Sequence, residues 1–356
     1  MNLELLKRLC ETPGVPGREE RVRSLIESEI DGLFDETRID AMGSLICTRH
    51  PRPGGGPASP SEDATRVLLL CHMDEIGFYV SHIDDDGFVR VNPAGGFDTR
   101  NLFSRRVLVC TQDHGDLPGV MNPGGKPVHI ASAEDRKKIP EISEFFIDLG
   151  LPADRAKEIV RIGDMVVLNE PFMEAGDKVV SKALDNRIAC WLGIESIRAI
   201  EKSGAGHACR IMVAFTVQEE IGLRGAKTAS FGVAPDIAIG LDVTLACDTP
   251  GVPTEERVTK QGDGAGLHIM DASIVSDHRL IDELEAVAMK NGVATQRTIL
   301  PRGGQDGAAG QQAGSGARAA GLVVGTRYIH TVTETADARD LAAARDLLAA
   351  WMPTVG

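Results

Sequence analysis

Val67-Leu68-Leu69-Leu70-Cys71-His72-Met73-Asp74-Glu75-Ile76-Gly77 is an apolar run that ends in a histidine and two carboxylates and closes on a glycine. A short uninterrupted apolar run reads as a buried strand. The polar residues then stand just beyond its carboxyl end, where open α/β sheets gather their ligands. The glycine also marks a change of texture. Before it, Leu3, Leu5, Leu6 and Leu9 recur at helical spacing, the 12–17 segment breaks the pattern, and a second amphipathic helix is predicted over about 18–30. A strand near 45–48 and a Pro/Gly/Ser-rich surface loop over 51–64 lead into the apolar run.

From Gly77 to about Val180 the chain turns to short β-like runs, such as Phe78-Tyr79-Val80 and Val107-Leu108-Val109, punctuated by Asp85-Asp86-Gly87 and Asn122-Pro123-Gly124-Gly125. That texture predicts a small inserted β-barrel. Strands and helices then alternate: a helix from about 186–202, a strand over 210–217, a short helix after Gly225 and a strand over 236–241. A helix near 276–290, strands near 295–300 and 322–328, and a last helix over 336–351 follow. The expected fold is therefore α/β, a mixed sheet flanked by helices with an inserted small β-barrel domain. A discontinuous α/β domain of 1–76 and 180–356, which carries the apolar run and its polar end, would surround an insert of 77–179, a division that suits a chain of 356 residues.

A formal net charge of −14 argues against nucleic acid or an anionic membrane as a partner, because either needs clustered Lys and Arg. The seven cysteines are odd in number, widely spaced and never in a Cys-x-x-Cys pair, so they read as buried thiols of a reducing compartment. The amino-terminal segment has charges among its leucines, unlike a signal peptide, and no apolar run reaches membrane length. A cytoplasmic location is expected.

Four more segments place metal-type ligands at a strand end or sharp turn: Lys182-Ala183-Leu184-Asp185-Asn186, Gln218-Glu219-Glu220-Ile221-Gly222, Gly240-Leu241-Asp242 and Tyr328-Ile329-His330-Thr331. His72, Asp185, Glu220, Asp242 and His330 can therefore converge on one crevice. Two histidines and three carboxylates suit zinc, cobalt or manganese better than magnesium. Asp74 lies two residues beyond His72, on the same side of an extended segment, where it can accept the second ring N–H. Glu219 and Glu220 are adjacent and would face opposite ways in a regular strand, so both reach one site only if the strand breaks, for which Gly222 supplies the means.

Taken together, the stretches 72–77, 181–187 (Ser-Lys-Ala-Leu-Asp-Asn-Arg) and 218–226 (Gln-Glu-Glu-Ile-Gly-Leu-Arg-Gly-Ala) resemble the M42 family of metallopeptidases, the glutamyl-aminopeptidase and tetrahedral-aminopeptidase group. The resemblance runs over nearly the whole chain. It implies a di-zinc peptidase type of fold and two divalent ions per subunit, zinc first and cobalt or manganese as alternatives. Asp185 would bridge the ions, His72 and Asp242 would complete one set, and Glu220 and His330 the other. Glu219 would be the general base and Asp74 the partner of His72. It further implies a cis peptide after Asp185, peptide substrates, and self-association through the insert as a dimer and in some members a dodecamer.

Two segments depart from the family pattern. Gly303-Gly304-Gln305-Asp306-Gly307 replaces a Gly-Gly-Thr-Asp-Ala, in a stretch expected to border the substrate, and Thr331-Val332 replaces a Ser/Thr-Pro. Neither removes a ligand. Gly262-x-Gly264-x-Gly266 lacks the context of a phosphate loop and is expected to form turns. His82, His114, His129, His207, His268 and His278 have no ligand-like neighbours and are expected at the surface or in the insert. The competing activities are a deacylase or amidohydrolase of small N-acyl substrates, a metal-free glycosidase, which would need a carboxyl pair about 5 to 9.5 Å apart, and a non-catalytic assembly protein.

Overall fold

The computed structural model describes residues 1–356. The chain opens with α1 (Leu3–Glu11) and α2 (Glu20–Glu29). The Asn2 side chain caps α1 by accepting the Leu5 N–H, and Leu5, Leu6, Leu9 and Cys10 form its buried face. The hairpin of β1 (Glu36–Ile39) and β2 (Leu45–Arg49) leads to β3 (Arg66–His72). Six strands then close a barrel in the order β4-β5-β8-β7-β6-β9: β4 (Gly77–Ile83), β5 (Val89–Ala94), β6 (Arg105–Cys110), β7 (Asp116–Pro123), β8 (Phe145–Asp148) and β9 (Met165–Leu168). A short helix, α3 (Ala153–Ile159), precedes β9.

The hairpin β10 (Met173–Ala175) and β11 (Lys178–Ser181) returns to the first sheet. The alternating half follows as α4 (Leu184–Ser203), β12 (Arg210–Thr216), α5 (Arg224–Val233), β13 (Ile237–Leu245), β14 (Ala265–Met270), α6 (His278–Asn291) and β15 (Thr295–Ile299). It ends with α7 (Gly307–Gln311), β16 (Arg318–Arg327), β17 (Glu334–Asp337) and α8 (Ala338–Trp351). The fold is thus the mixed α/β sheet with an inserted barrel that the alternation and the β texture predict.

The large sheet runs β1-β2-β12-β3-β13-β16-β17-β11-β10, with β14 paired to both β15 and β16. Its centre, β12-β3-β13-β16, is parallel, so four carboxyl ends share one edge. Each central strand is apolar on both faces, as parallel strands covered by helices must be. In β3, Val67, Leu69 and Cys71 join the main core with α1, α4, α6 and α8, while Leu68 and Leu70 face Ala226, Ala229 and Ala309 of α5 and α7. A second core fills the barrel, and it contains Val332, which follows the site-bearing segment at His330.

Three expectations need correction. Gly266 lies inside β14, where a side chain would meet Val323 at 2.6 Å; only Gly262 and Gly264 form the expected turn, both at positive φ. His207 and His268 are buried, not superficial: the His268 ring sits between Thr298 (2.9 Å) and Asp271 (3.1 Å), and His207 Nδ1 faces the Cys209 carbonyl at 2.9 Å. The strand that carries Asp242 runs on to Leu245 instead of stopping at Leu241, because β13 loses β3 as a neighbour after Gly240 but stays paired with β16.

Candidate metal centre

The parallel edge delivers the ligand-type residues. His72 is the last residue of β3, in register with Thr216, the last of β12. Beyond β12 the chain reverses through Gln218 (φ +57°), Gly222 (φ +120°) and Leu223 (φ +57°), and this turn brings Glu219 and Glu220 to the same side. Both oxygens of Asp74 hold it, accepting the N–H of Glu219 (3.0 Å) and of Glu220 (3.1 Å). Gly225, at the far end of the turn, leaves no room for a side chain: a Cβ there would stand 2.5 Å from the Val217 nitrogen and oxygen.

Asp185 sits at the start of α4, before the regular helix begins, and the Asp185–Asn186 peptide is cis. The Asn186 side chain donates to the Leu241 carbonyl (2.9 Å), the edge of β13 that β3 has vacated, and accepts the Ala189 N–H (3.1 Å). One carboxylate then links two segments. Glu334, in β17, accepts the N–H of Asp185 with one oxygen (3.0 Å) and the N–H of His330 with the other (2.7 Å). His330 has φ +65°.

The geometry brings together all seven residues singled out in the sequence. Asp185 faces both histidines, with one oxygen 3.3 Å from His72 Nε2 and the other 3.4 Å from His330 Nε2. Glu220 lies 3.3 Å from His330 Nε2, and Asp242 and Glu219 lie 4.0 and 3.9 Å from His72 Nε2. His72 Nδ1 stands 3.1 Å from the Asp74 carbonyl oxygen and 3.5 Å from its carboxylate, so the backbone oxygen is the nearer acceptor. A carbonyl only accepts, so Nδ1 carries a proton and Nε2 is the nitrogen turned toward the carboxylates.

No lysine or arginine pairs with these acids, and the imbalance shifts their pKa values. Burial, with the charges of neighbouring carboxylates, raises the pKa values of Glu219 and Asp242 well above the usual range, and Glu220 is shifted the same way. Burial works against a His330 cation, yet Asp185 and Glu220 beside it push its pKa up to about 12. His72 is raised likewise, by Glu219 first and then Asp185 and Asp74. Asp185, flanked by both rings, is held below the ordinary carboxylate range in spite of its burial. Protons here stand in for positive charge.

The donor set fits divalent cations. His72, Asp185 and Glu220 offer ligand atoms within 4.8 Å of one another, as do His72, Glu219 and Asp242. Glu220 Oε1 is buried without any hydrogen-bond partner, an acceptor that a cation would satisfy. The site opens into a cleft of about 590 Å³, walled by Leu223, Val243, Leu300 and Ile329 and edged by Arg302, Gly303 and Gly304. Gln305 and Asp306, expected beside the substrate, turn inward instead: Gln305 is wedged against Gly240 and Gly321, and Asp306 accepts the Thr216 hydroxyl. Burial raises the Asp306 pKa to about 6.

Sequence reasoning missed Glu334 and Asn186. Asn186 had a signal, since it adjoins Asp185 at a helix start, and Glu334 had a weaker one in lying four residues past His330.

The chain matches the model of a family described as M42 glutamyl aminopeptidase over residues 57–347. It is 32% identical to a lysyl aminopeptidase of Pyrococcus furiosus, covering 95% of this chain and 93% of that protein. It superposes on an aminopeptidase of the archaeon Desulfurococcus kamchatkensis with a TM-score of 0.89, at 33% identity, covering 98% and 94%. It also superposes on the Pyrococcus horikoshii TET1 peptidase, described as able to assemble into a tetrahedron or a large octahedral shell, with a TM-score of 0.85 at 30% identity, covering 98% of each chain.

Proposed function

The chain belongs to the M42 glutamyl aminopeptidase family, and from that premise we propose that it removes N-terminal residues from peptides in a reaction that needs two divalent ions, zinc first and cobalt or manganese as alternatives. His72, Asp185 and Asp242 would hold one ion, and Asp185, Glu220 and His330 the other. The observation that carries the assignment is the placement of Asp185, whose two oxygens each face a different histidine at 3.3 and 3.4 Å. Bound ions would polarise the scissile carbonyl and acidify a water molecule.

Glu219 is the general base in this reading: it takes the proton of the attacking water and delivers it to the departing amine. Asp74 touches no reacting atom and acts by orienting His72 and the glutamate turn. The apolar walls of the cleft receive the side chain of the first residue, and the carboxylates attract its α-ammonium group, which favours the N-terminal bond over an internal one.

Turnover of a panel of aminoacyl amides, measured before and after chelation and again after adding back zinc or cobalt, tests the reading. Activity that survives complete metal removal would sink it, and hydrolysis of N-acyl amino acids in preference to aminoacyl amides would move the chain to the deacylases.

We assign self-association to the barrel insert, as a dimer and in larger shells as a dodecamer. Phe103, Val128, Ile130, Ile139 and Ile162 are exposed apolar side chains on that insert, which supports it as a contact surface. The seven cysteines are unpaired, six of them buried, in keeping with a cytoplasmic enzyme. No helix is long and apolar enough to cross a membrane.

A further inference from the structure

The turn that carries Glu219 and Glu220 begins at Gln218, a non-glycine residue in the left-handed region (φ +57°). Such a conformation is disfavoured for a residue with a side chain and persists where the surroundings hold it. Three successive backbone N–H groups leave this turn, and each ends on a carboxylate. Asp74 accepts those of Glu219 and Glu220. The first, from Gln218, goes to Oε1 of Glu19 at 3.0 Å.

Glu19 stands at the entrance to α2, 199 positions from Gln218 in the chain. It is only 3% exposed, and no lysine or arginine pairs with it. The same Oε1 also accepts the Gly17 N–H at 2.7 Å, which folds the 16–19 segment under the glutamate turn. Tyr79 of the first barrel strand donates to the Pro16 carbonyl (2.7 Å) and pins that segment from the other side. A buried acid whose bonds all run to backbone donors is built to fix a backbone.

We propose that Glu19 is a positioning residue for the reaction: by holding Gln218 in its left-handed conformation it sets where the Glu219 carboxylate stands. The proposal rests on the reading of Glu219 as the base. Glu19 reaches no reacting atom and acts only through the Gln218 backbone.

The test uses the full-length, metal-loaded protein with Glu19→Gln and Glu19→Ala. A single oxygen makes both bonds, so Glu19→Gln keeps the acceptor and should retain kcat within about threefold. Glu19→Ala removes the acceptor. Its kcat should fall about 10- to 100-fold, the usual effect of a displaced catalytic group, with KM and metal content unchanged. Amide exchange over 216–222 should quicken about fivefold to tenfold in Glu19→Ala alone, as expected for one lost hydrogen bond.

Wild-type kcat and exchange in Glu19→Ala would overturn the proposal. So would equal losses in the two variants, or a loss in Glu19→Ala that only tracks missing metal. If the unaltered protein turns over no aminoacyl substrate, the functional reading fails, and the exchange measurement still decides whether Glu19 holds the turn.

Discussion

Replacing Glu219 and Glu220 by glutamine, one at a time, separates the two jobs proposed for one turn. Glu220 has one oxygen 3.3 Å from His330 Nε2 and the other buried without a partner, so its carboxyl group is directed at the centre. At an effective dielectric of about 20, a unit charge at that distance interacts with roughly 5 kcal/mol. Desolvation offsets part of this, leaving about 3 kcal/mol lost when one partner of a buried pair is neutralised. Glu220→Gln should therefore bind metal about 100-fold more weakly, and activity should return in part at high zinc or cobalt. Glu219→Gln keeps size and hydrogen-bonding capacity but removes the basic carboxylate, so kcat should drop by about 10² to 10⁴. That corresponds to roughly 3 to 5 kcal/mol of barrier. Metal content should stay at the unaltered level. Metal analysis beside steady-state kinetics on both proteins decides the matter, and equal metal loss in the two, or a fully active Glu219→Gln protein, would refute the division of roles.

Glu19 gives a pH-dependent prediction: burial, then the charge of Asp74, raises its pKa from 4.5 to about 7. Between those values the folded chain keeps a proton that the unfolded chain has released, so this group makes stability fall as pH rises from 4.5 to 7. Glu19→Gln should remove that dependence and be more stable than the unaltered protein at pH 7.5 by up to about 3 kcal/mol in urea unfolding; a gap that does not widen with pH counts against the assignment. Val332→Ala, which takes methyl groups from the barrel core, should cost about 2 kcal/mol of stability and lower kcat through His330, whereas unchanged denaturation would mean that Val332 does not couple the barrel to the site. Sedimentation should show an oligomer at micromolar concentration, and charges placed at Val128 and Ile130 on the barrel should dissociate it; a monomeric unaltered protein would end that idea.

What the sequence disclosed is what lies close together in it. His72 to Gly77 announces a strand end, a candidate ligand and the start of the insert within a few residues, and the Glu219-Glu220 pair with Gly222 announces a break. Residues whose purpose lies with distant backbone gave a weaker sign or none. Glu334 holds the N–H of Asp185, 149 positions away, and Glu19 holds that of Gln218. Neither contact leaves a periodicity or a spacing. His268 has no ligand-like neighbours in the sequence, and the partners that bury it, Thr298 and Asp271, are brought to it by the fold. The strand β17, Glu334-Thr335-Ala336-Asp337, is too short and too polar to read as one, yet it is buried because β11 and β16 cover its two edges.

The neighbouring acids Asp74 and Glu75 show how the fold reserves negative charge for the centre. Both are almost fully buried. Glu75 is paired with Lys182 at 2.7 Å and approached by Arg187 at 3.4 Å, and Arg187 in turn donates to the carbonyls of Leu9, Thr12 and Gly14. That acid is neutralised and ties the amino-terminal helix to α4. Asp74 faces the other way and receives the N–H groups of the glutamate turn, without a lysine or arginine. Glu19 and Glu334 also lack a basic partner, and burial raises the pKa of each, so these two hold a proton more readily than an exposed acid. An unpaired buried ion costs several kcal/mol, so a chain that supplies cations to Glu75 but withholds them from Asp74, one residue earlier, is tolerating that cost locally. The backbone donors are dipoles: they orient the inner carboxylates without cancelling their charge, and the remaining deficit of positive charge is one that divalent ions would fill.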